Sequence, residues 1–317
     1  MSTRCAERPR HGAVVVSGPD ATSFLESLVS QELTGVAAGQ GVRSLLLTPQ
    51  GKLDVALRAL RIGAGKDEPD EWSLDCDTGY GERLAASLGR YRIRVDAEIE
   101  DRSDDCDLLE VRGHEAVPRV AALARVDIPD APDSHVLWGD RRIVRADWPT
   151  MEGVDVLGPA IAVRDARDAL LRAGVEPFAP GAYEAARIEA GVPRLGVDID
   201  ERTIPQEAFL ERDAVSFTKG CFVGQELVCR IDTRGHVNRH LRLLRADGDT
   251  VPPGGTEVFV EDRSVGTVTS SAIVPDEARI VALAMVRREV EPPAAARLRW
   301  PDGELSVTVE VLPGSES

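Results

Sequence analysis

The chain has 317 residues, a formal net charge of −16, 43% hydrophobic residues and only 4% aromatic residues. This length allows two or three domains, and the composition is typical of a soluble globular protein whose core is built from Val, Leu, Ala and Ile. An acidic balance of this size excludes the broad positive field that attracts nucleic acid, so we expect no direct nucleic-acid partner.

The chain shows no membrane or secretory pattern. No apolar run approaches the roughly 20 residues that a transmembrane helix needs, and the first residues lack the continuous apolar stretch of a signal peptide. Its five cysteines are scattered and lack CxxC spacing: Cys5, Cys76, Cys106, Cys221 and Cys229. This pattern argues against a disulfide framework and against a four-ligand zinc site. We therefore predict a cytoplasmic protein with no membrane partner and no metal site.

The first hundred residues predict a mixture of strands and helices. Residues 12–16 form an apolar run that predicts a buried strand, and Asp20 is a candidate N-cap for a helix whose apolar face is Phe24, Leu25 and Leu28. The patterns then predict, in order, a hairpin over 42–60 that turns at Pro49, Gln50 and Gly51, a strand over 71–76, a helix over 79–90 and a strand over 91–98.

The middle of the chain is less regular, and its end is rich in strands. Residues 101–150 are polar, with short strands predicted over 108–112 and 142–146, and helices follow over 164–173 and 181–190. After residue 240, β-rich runs alternate with Gly and Pro turns over 241–246, 256–260, 265–271, 279–286, 295–299 and 304–312. Such even spacing indicates a small antiparallel barrel or sandwich. The predicted fold is therefore α+β with an all-β module at the C-terminal end.

The most informative segment is 219–226, with the sequence KGCFVGQE. Lys is rare in this chain, since only three of the 38 cations are lysines. A helix predicted over about 222–231 would place Cys221 at or just before its N-terminus, where free amides and Lys219 would favour a thiolate. Two interpretations stay open, a reactive or ligand-binding thiol and a small buried hydrophobe at a tight turn. Cys229, within the same helix, is predicted to be a core residue.

The surroundings of this segment are basic although the chain is acidic. Residues 215–245 contain six cations and two anions, a net charge of +4. This strip indicates an anionic ligand or partner. The alternative, a solvated helix end followed by a strand edged with arginines, stays open as well.

Segment 219–226 resembles the KGC(Y/F)xGQE signature of the YgfZ-type folate-binding proteins. These are relatives of the glycine-cleavage aminomethyltransferase, the T-protein, and act in iron–sulfur cluster assembly or repair. Further similar segments follow in the expected order over 18–21, 46–54, 183–191, 196–200, 204–207 and 265–270. The resemblance spans most of the chain and is weakest over 100–150.

The resemblance implies an aminomethyltransferase-like architecture of three domains. A discontinuous α+β folate-binding domain would combine residues 1–60 with 150–240. Residues 61–149 would form a second α+β domain, and 241–317 a C-terminal antiparallel β-barrel. The discontinuity comes from the resemblance alone.

The resemblance also implies a site for tetrahydrofolate or a related folate. Glu189 would hold the pterin ring, since a carboxylate accepts two parallel hydrogen bonds from an amino-pyrimidine edge. Glu207 is a second candidate, although a solvated loop acid is an alternative for it. Arg187 is a third, with a helix-surface cation as its alternative. Gln225 and Arg230 complete the candidate cofactor-binding residues, and the basic strip over 230–242 could meet the glutamate tail.

One departure from the T-protein pattern bears on mechanism. T-proteins carry two neighbouring aspartates after the glycine turn, whereas here Asp54 is followed by Val55. Cys221, Lys219 and Asp54 are therefore the candidate catalytic residues of a folate pocket whose chemistry is altered and to which a thiol is added.

Three functional hypotheses follow from the resemblance. The leading one is an accessory protein that binds folate and supports iron–sulfur enzymes, including those that modify tRNA, with iron–sulfur client or assembly proteins as partners. The second is a folate-dependent aminomethyltransferase or demethylase. The third is an interaction module with a vestigial pocket. Whether the chain is an enzyme stays open at this point.

Overall fold

The computed structural model describes residues 2–63, 70–179, 181–275 and 277–315. These residues form two compact units. Unit 1 consists of Met1–Asp147, Met151–Pro177 and Glu211–Leu227, and unit 2 consists of Trp148–Thr150, Phe178–Leu210 and Val228–Ser317. The boundaries of the three domains implied by the resemblance stay a prediction.

Seventeen strands and seven α-helices follow one another along the described chain. The strands are β1 Arg4–Arg8, β2 Gly12–Ser17, β3 Gly41–Leu47, β4 Leu53–Gly63, β5 Glu71–Cys76, β6 Glu98–Asp101, β7 Asp107–Arg112, β8 His135–Trp138, β9 Arg141–Arg145, β10 Gly153–Gly158, β11 Glu176–Pro177, β12 Arg239–Asp247, β13 Glu257–Val260, β14 Arg263–Val274, β15 Arg279–Arg287, β16 Ala294–Trp300 and β17 Gly303–Glu310. The helices are α1 Ala21–Leu28, α2 Gly81–Gly89, α3 Ala116–Ala124, α4 Ala160–Arg172, α5 Ala182–Glu189, α6 Glu211–Ala214 and α7 Gln225–Arg234.

Unit 1 is built on two sheets. The first has the order β3-β4-β5-β2-β6 with antiparallel neighbours throughout, and the second has the order β11-β1-β7-β10-β9-β8, in which only β1 and β11 run parallel. The alternating sequence of β4 gives the strand one buried face, because Leu53, Val55 and Leu57 are buried while the residues between them are less so. Helices α3 and α4 pack on the second sheet, where Val120, Val163 and Leu170 join its buried valines and leucines.

Unit 1 also buries a network of charged side chains that joins its two sheets. Arg58 of β4 donates to both carboxylate oxygens of Asp75 at 3.1 and 2.5 Å, and it lies 3.0 Å from Asp155 of β10. Arg112 of β7 binds the other oxygen of Asp155 at 2.7 Å. Burial alone raises the pKa of Asp75, but Arg58 and His11 outweigh it, so that this pKa lies well below its ordinary value. The network therefore keeps the carboxylate of Asp75 ionised inside the unit.

Unit 2 contains the barrel. Strands β12-β15-β14-β13-β16-β17 close into an antiparallel barrel. Its interior is apolar and built mostly from small and branched side chains: Leu244, Val258, Val265, Val268, Ala282, Ala284, Val286, Val290, Ala296, Leu298, Val307 and Val309. All six β-rich runs predicted after residue 240 are strands of this barrel, so the predicted α+β class with a C-terminal antiparallel barrel is confirmed.

Most elements predicted from the sequence are present, with shifted ends. The hairpin over 42–60 turns at Pro49, Gln50 and Gly51 as predicted, and β5 has the predicted bounds. Asp20 is the N-cap residue of α1, but its carboxylate accepts the N–H of Asp96 at 2.9 Å and makes no bond to the helix.

The strand predicted over 91–98 is wrong. Residues 91–97 lie outside helices and strands, and β6 begins only at Glu98. Arg94 has a φ of +57°, which breaks an extended chain, and Ile93 is 74% exposed. The alternation in this segment therefore has no buried face to support it.

Helix α3 was not predicted, because its sequence lies in the polar stretch over 101–150. Its proline, Pro118, is the third helical residue. A proline is tolerated there, because an N–H in the first turn has no partner within the helix. Among the described helices, none combines the length and apolar character needed to cross a membrane.

Candidate functional site

The ammonium group of Lys219 is buried against the end of α1 in unit 1. Its Nζ donates to the carbonyl oxygens of Glu26, Val29 and Gln31 at 2.8, 2.9 and 2.9 Å and lies 3.1 Å from the Glu26 carboxylate. The last carbonyls of a helix lack partners within it, so a cation there completes its hydrogen bonding. Burial lowers the pKa of Lys219, and Glu26 opposes this shift.

Lys219 therefore fastens the segment that carries the thiol to α1. All three of its ammonium protons have carbonyl acceptors, and its side chain is only 1% exposed. Its role beside the thiol stays a prediction, and its role as a clamp is a direct consequence of these contacts.

Cys221 lies two residues later and is exposed. The interpretation that it is a small buried hydrophobe is therefore wrong. Burial raises the pKa of Cys5 to about 11 and that of Cys106 to about 12. Cys229, predicted to be a core residue, is only partly buried. Among the cysteines, Cys221 is the one whose thiol is presented to solvent.

The helix after Cys221 begins later than predicted, at Gln225 and not at 222. Gly224 has a φ of +78°, a left-handed conformation that interrupts a helix. The side-chain Oε1 of Gln225 accepts the N–H of Phe222 at 3.2 Å and closes the loop. Cys221 thus lies four residues before the helix and not at its N-terminus.

The loop packs against the hairpin turn between β3 and β4. A Cβ added at Gly224 would lie 2.4 Å from the carbonyl oxygen of Thr48. A Cβ added at Gly51, whose φ is +74°, would lie 2.8 Å from the carbonyl oxygen of Gly224. The two glycines allow one backbone to lie directly on the other, so the turn determines the position of the thiol loop.

Asp54 follows this turn at the start of β4. Its carboxylate accepts a hydrogen bond from Nε of Arg83, on α2, at 2.7 Å, and its side chain is 13% exposed. Val55, the next residue, is fully buried in the core.

In unit 2, Glu189 ends α5 and pairs with two arginines of the barrel. Its Oε1 lies 2.8 Å from Arg279 of β15 and 3.4 Å from Arg245 of β12. Both arginines line a cavity of about 710 Å³ at the barrel. The carboxylate is thus held by cations at the edge of a ligand-sized space.

Glu207 is buried and bonded on both oxygens. Arg239 of β12 donates to its two oxygens at 2.9 and 3.1 Å, and the N–H of Ile204 lies 3.1 Å from one of them. The alternative of a solvated loop acid is therefore wrong. Arg239 lines a second cavity, of about 660 Å³, between the loop over 196–203 and strands β14 and β15.

Arg187 lies in the interior of unit 2, so the alternative of a helix-surface cation is wrong. Its five N–H groups donate to Glu184, to the carbonyl of Val192, to Asp198 and to the hydroxyl of Ser270. Burial alone lowers its pKa, but Asp198 and Glu184 outweigh this and raise it. Asp198, which accepts one of these bonds, also lines the second cavity. Arg187 therefore holds the wall of this cavity through Asp198.

The predicted residues thus form two groups, one in each unit. Lys219 and Cys221 lie in one loop of unit 1, and Gln225 begins the helix that follows it. The turn on which this loop packs leads into Asp54. Glu189, Glu207 and Arg187 belong to unit 2, each in its own ion pairs. Arg230, also in unit 2, is exposed on α7 and forms no ion pair with the described residues. In the part of the chain that the structure describes, no group of three or more His, Cys, Asp or Glu residues is arranged to hold a metal ion.

Sequence reasoning missed the partners of these residues. Glu26, Arg83, Asp198, Arg239 and Arg279 each bind a predicted residue that lies 11 to 193 positions away. Two of them carried a signal, Arg239 as a member of the basic strip and Asp198 within the similar segment over 196–200.

Comparisons with known proteins agree with this fold. The GCVT N-terminal domain model matches residues 7–219, and the glycine cleavage T-protein C-terminal barrel domain model matches residues 239–312. The chain is 26% identical over 284 residues to an aminomethyltransferase of Rippkaea orientalis, covering 88% of this chain and 77% of that protein. It is 28% identical over 307 residues to the tRNA-modifying protein YgfZ of Cronobacter sakazakii, covering 95% and 89%.

A solved structure has the same fold. The glycine cleavage system aminomethyltransferase T from Bartonella henselae matches with a TM-score of 0.85 at 21% identity, covering 98% of this chain and 86% of that one. Both family models and this structural match extend over the two units. The chain therefore belongs to the glycine cleavage T-protein family.

Proposed function

We propose that this protein binds tetrahydrofolate, or a related folate, and supports the assembly or repair of iron–sulfur enzymes, including tRNA-modifying ones, with Cys221 as its essential thiol. The observation that carries the proposal is the exposed thiol of Cys221 on a loop that Lys219 clamps to α1. The similarity to a protein named tRNA-modifying YgfZ, over 95% of the chain, supports it.

The contacts of the loop favour a chemical role for this thiol. A cysteine kept only for packing is buried and inert, whereas reactive cysteines are partly exposed. Here the exposed cysteine sits on a segment fixed by the Lys219 bonds, by the Gln225 bond to Phe222 and by the contact of Gly51 with Gly224. A thiol at a fixed position suits transient binding of an iron–sulfur cluster as cargo, because thiolates are the soft ligands that clusters use.

The residues of unit 2 fit a folate by size and chemistry. Its two cavities, of about 710 and 660 Å³, lie within the range of sites for small molecules. Arginines on both rims, Arg245 and Arg239, match the carboxylates of a glutamate tail, and Glu189 offers a carboxylate for an amino-pyrimidine edge. A bound tetrahydrofolate would supply a carrier for one-carbon units. Because Glu189 is paired with Arg279, such a ligand has to compete with that arginine.

The proposal includes the three-domain division at residues 1–60 with 150–240, 61–149 and 241–317, a cytoplasmic location and iron–sulfur client or assembly proteins as partners. The basic strip over 230–242, with Arg230 exposed, is the candidate surface for such partners.

A second candidate is an aminomethyltransferase or demethylase, and the relatives that carry the name aminomethyltransferase favour it. The local geometry around Asp54 argues against it. Asp54 is paired with Arg83, and Val55 is buried, so the pair of neighbouring carboxylates of T-proteins is lacking at these positions.

The decisive experiment compares Cys221→Ala with Cys229→Ala. Both remove one thiol within nine residues of chain, but only the first removes an exposed one. In a strain that lacks this protein, we expect Cys221→Ala to fail and Cys229→Ala to succeed in restoring iron–sulfur enzyme activity. If Cys221→Ala restores that activity fully, the proposed role of the thiol is wrong.

Titration calorimetry with tetrahydrofolate tests the pocket separately. We expect Cys221→Ala to bind like wild type and Glu189→Ala to lose affinity. Absence of binding by wild type would contradict the folate part of the proposal. Turnover of an aminomethyl or methyl donor by wild type would instead establish the transferase.

A further inference from the structure

Unit 2 contains an arginine whose charge is not balanced. Arg242 lies on β12 and is partly buried, and burial lowers its pKa. Its guanidinium forms no ion pair and no hydrogen bond with the residues that the structure describes, and it lies 5.7 Å from the ring centroid of Phe209. Removing part of a cation from water without a counter-charge is unfavourable, so this arrangement needs an explanation.

Other arginines over aromatic rings in this chain do have acidic partners. Arg61 lies 5.4 Å from the ring of Trp72 and 3.0 Å from the carboxylate of Asp70. Arg141 lies 4.3 Å from the ring of Trp138 and 3.5 Å from Asp140. Arg299 lies 4.7 Å from the ring of Phe259 and 2.9 Å from Glu304. Arg242 shares the aromatic contact and lacks the carboxylate. Because no carboxylate among the described residues pairs with Arg242, its guanidinium is free to bind the anionic group of a ligand.

The aromatic partner of Arg242 is itself unusual. Phe209 has a φ of +59°, and it is the only aromatic among the six non-glycine residues with a positive φ in the described chain. Such a backbone is strained for a bulky residue and persists only where its surroundings enforce it. The result is a ring stacked on His240, with centroids 5.1 Å apart and planes at 11°.

Two residues close to this ring each have a polar side-chain atom without a partner among the described residues: His240, which stacks on it, and Gln206, whose backbone is hydrogen-bonded to the His240 ring. Oε1 of Gln206 and Nδ1 of His240 are buried and accept no hydrogen bond from the described residues. Buried polar atoms are nearly always bonded, so two orphans next to a strained backbone and an unpaired cation are three departures at one place. Departures concentrated in this way are typical of a site built for a ligand.

The charges around His240 indicate the sign of the ligand's charge. Burial, Arg242 and Arg288 all lower the pKa of His240. The one acid that opposes them, Glu207, already has both oxygens bonded to Arg239. His240 and Arg242 are two residues apart and so share one face of β12. This face therefore carries an unbalanced positive charge.

We propose that Arg242, His240 and Phe209 form a binding site for an oxyanion, a carboxylate or phosphate group of a ligand. The guanidinium fork donates to the oxyanion, as it does to carboxylates and phosphates elsewhere. Burial and the nearby positive charges disfavour a proton on His240. A bound anion opposes those charges, and a proton on Nδ1 converts that orphan acceptor into a second donor. This inference rests on contacts within unit 2 and is independent of folate binding.

The test uses histidine-ring NMR spectra of the full chain, titrated with pyrophosphate in one arm and glutarate in the other. We expect the His240 signals to shift saturably with at least one anion and the pKa of His240 to rise. Arg242→Gln should weaken this binding about tenfold or more, as for a lost charge-assisted hydrogen bond. The anion that binds more tightly identifies whether the site takes a phosphate or a carboxylate group.

Arg299→Gln is the matched control, because it removes an arginine over a phenylalanine that has its own carboxylate. We expect it to leave the anion midpoint unchanged. Arg242→Lys should bind more weakly than wild type and more tightly than Arg242→Gln, since it keeps the charge without the fork.

Arg242→Gln is expected to fold, because it removes an unpaired charge, and its urea midpoint should not fall. A clear fall in that midpoint would identify Arg242 as a structural residue and overturn the proposal. The proposal is also overturned if neither anion moves the His240 signals of wild type, or if the midpoint of the anion titration is the same for Arg242→Gln as for wild type.

Discussion

The two units of this protein hold their strands together in different ways. In unit 1, the first sheet is joined to the second through Arg58, which binds Asp75 on one side and Asp155 on the other. In unit 2, the barrel closes on itself around a core of valine, leucine and alanine. A buried ion network depends on direction and charge, whereas an apolar core depends mainly on volume. The stability of unit 1 should therefore depend mainly on substitutions that remove a charge, and that of unit 2 on substitutions that open a cavity.

Replacing Arg58 by Met should have the largest effect, a loss of about 3–5 kcal/mol in the free energy of unfolding, since it leaves buried Asp75 without its arginine and Asp155 with Arg112 alone. Urea unfolding followed by the fluorescence of Trp72, which is buried in unit 1, measures it. Arg102→Met, which breaks an exposed pair with Glu100, is the control and should cost no more than about 1 kcal/mol. Equal losses in the two variants would remove the contrast between buried and exposed charge.

Leu298→Ala should destabilise the barrel by about 2–5 kcal/mol, because it opens a cavity at a fully buried position. Leu298→Met keeps the volume and should cost less than about 1.5 kcal/mol. Hydrogen exchange of barrel peptides reports this loss. A large loss for the Met variant would mean that the barrel core is as specific as the network.

Lowering the pH should weaken unit 1 through His135. Burial and the neighbouring Arg142 lower its pKa to about 4, and its ring is placed for a neutral state, with Nδ1 2.6 Å from Arg142 and Nε2 3.1 Å from the carbonyl of Arg61. The unfolded chain binds a proton at about pH 6.5, so stability is full above that pH and falls by about 1–3 kcal/mol as the pH drops toward 4.

His135→Gln should flatten this part of the pH profile, and the exposed His114→Gln should leave it unchanged. The measurement is the urea midpoint at several pH values between 4 and 7. An unchanged profile in His135→Gln would assign the pH dependence to other groups.

The smallest effect is expected for Asp133→Asn, and its sign is the informative part. Burial raises the pKa of Asp133, although Arg58 and Arg43 oppose the shift. The folded chain thus binds this proton more tightly than the unfolded chain, so the charged form costs stability at neutral pH, and that cost disappears as the pH falls. Asn removes the charge and accepts the φ of +56° at this position.

We therefore expect Asp133→Asn to raise the urea midpoint at pH 7 and to have little effect near pH 3. A lower midpoint at pH 7 would show that Asp133 contributes to the network as an anion.

Local patterns were sufficient to predict most of the fold. The barrel strands follow from alternation and turn residues, and the hairpin before Asp54 follows from Pro49, Gln50 and Gly51, because each of these signals acts within a few residues. Helix α3 was missed because the prolines of its polar stretch suggested turns, although its own Pro118 lies in the first turn, where a helix accepts it.

The candidate site was less predictable, since its contacts are distant in sequence. The lysine count singled out Lys219, but its acceptors, in α1 and just after its end, lie 188 to 193 residues away. Arg187 has the sequence context of a surface helix, yet Asp198 and Ser270 draw it into the interior. The start of α7 depends on the left-handed Gly224, whose conformation is fixed by a contact with the distant hairpin turn. The sequence therefore predicts the conformation of a residue where neighbouring residues determine it. It does not predict that conformation where contacts with distant parts of the chain determine it.

The contact between Gly51 and Gly224 has a practical consequence for anyone who engineers this protein. Two hairpin turns of unit 1 offer a glycine for inserting a tag or a reporter. At Gly139 a Cβ would meet nothing within 4 Å, so the turn between β8 and β9 has room for added chain. At Gly51 any insertion would displace the loop of Cys221. A tag placed there would therefore abolish the function of the thiol although Cys221 itself is unchanged.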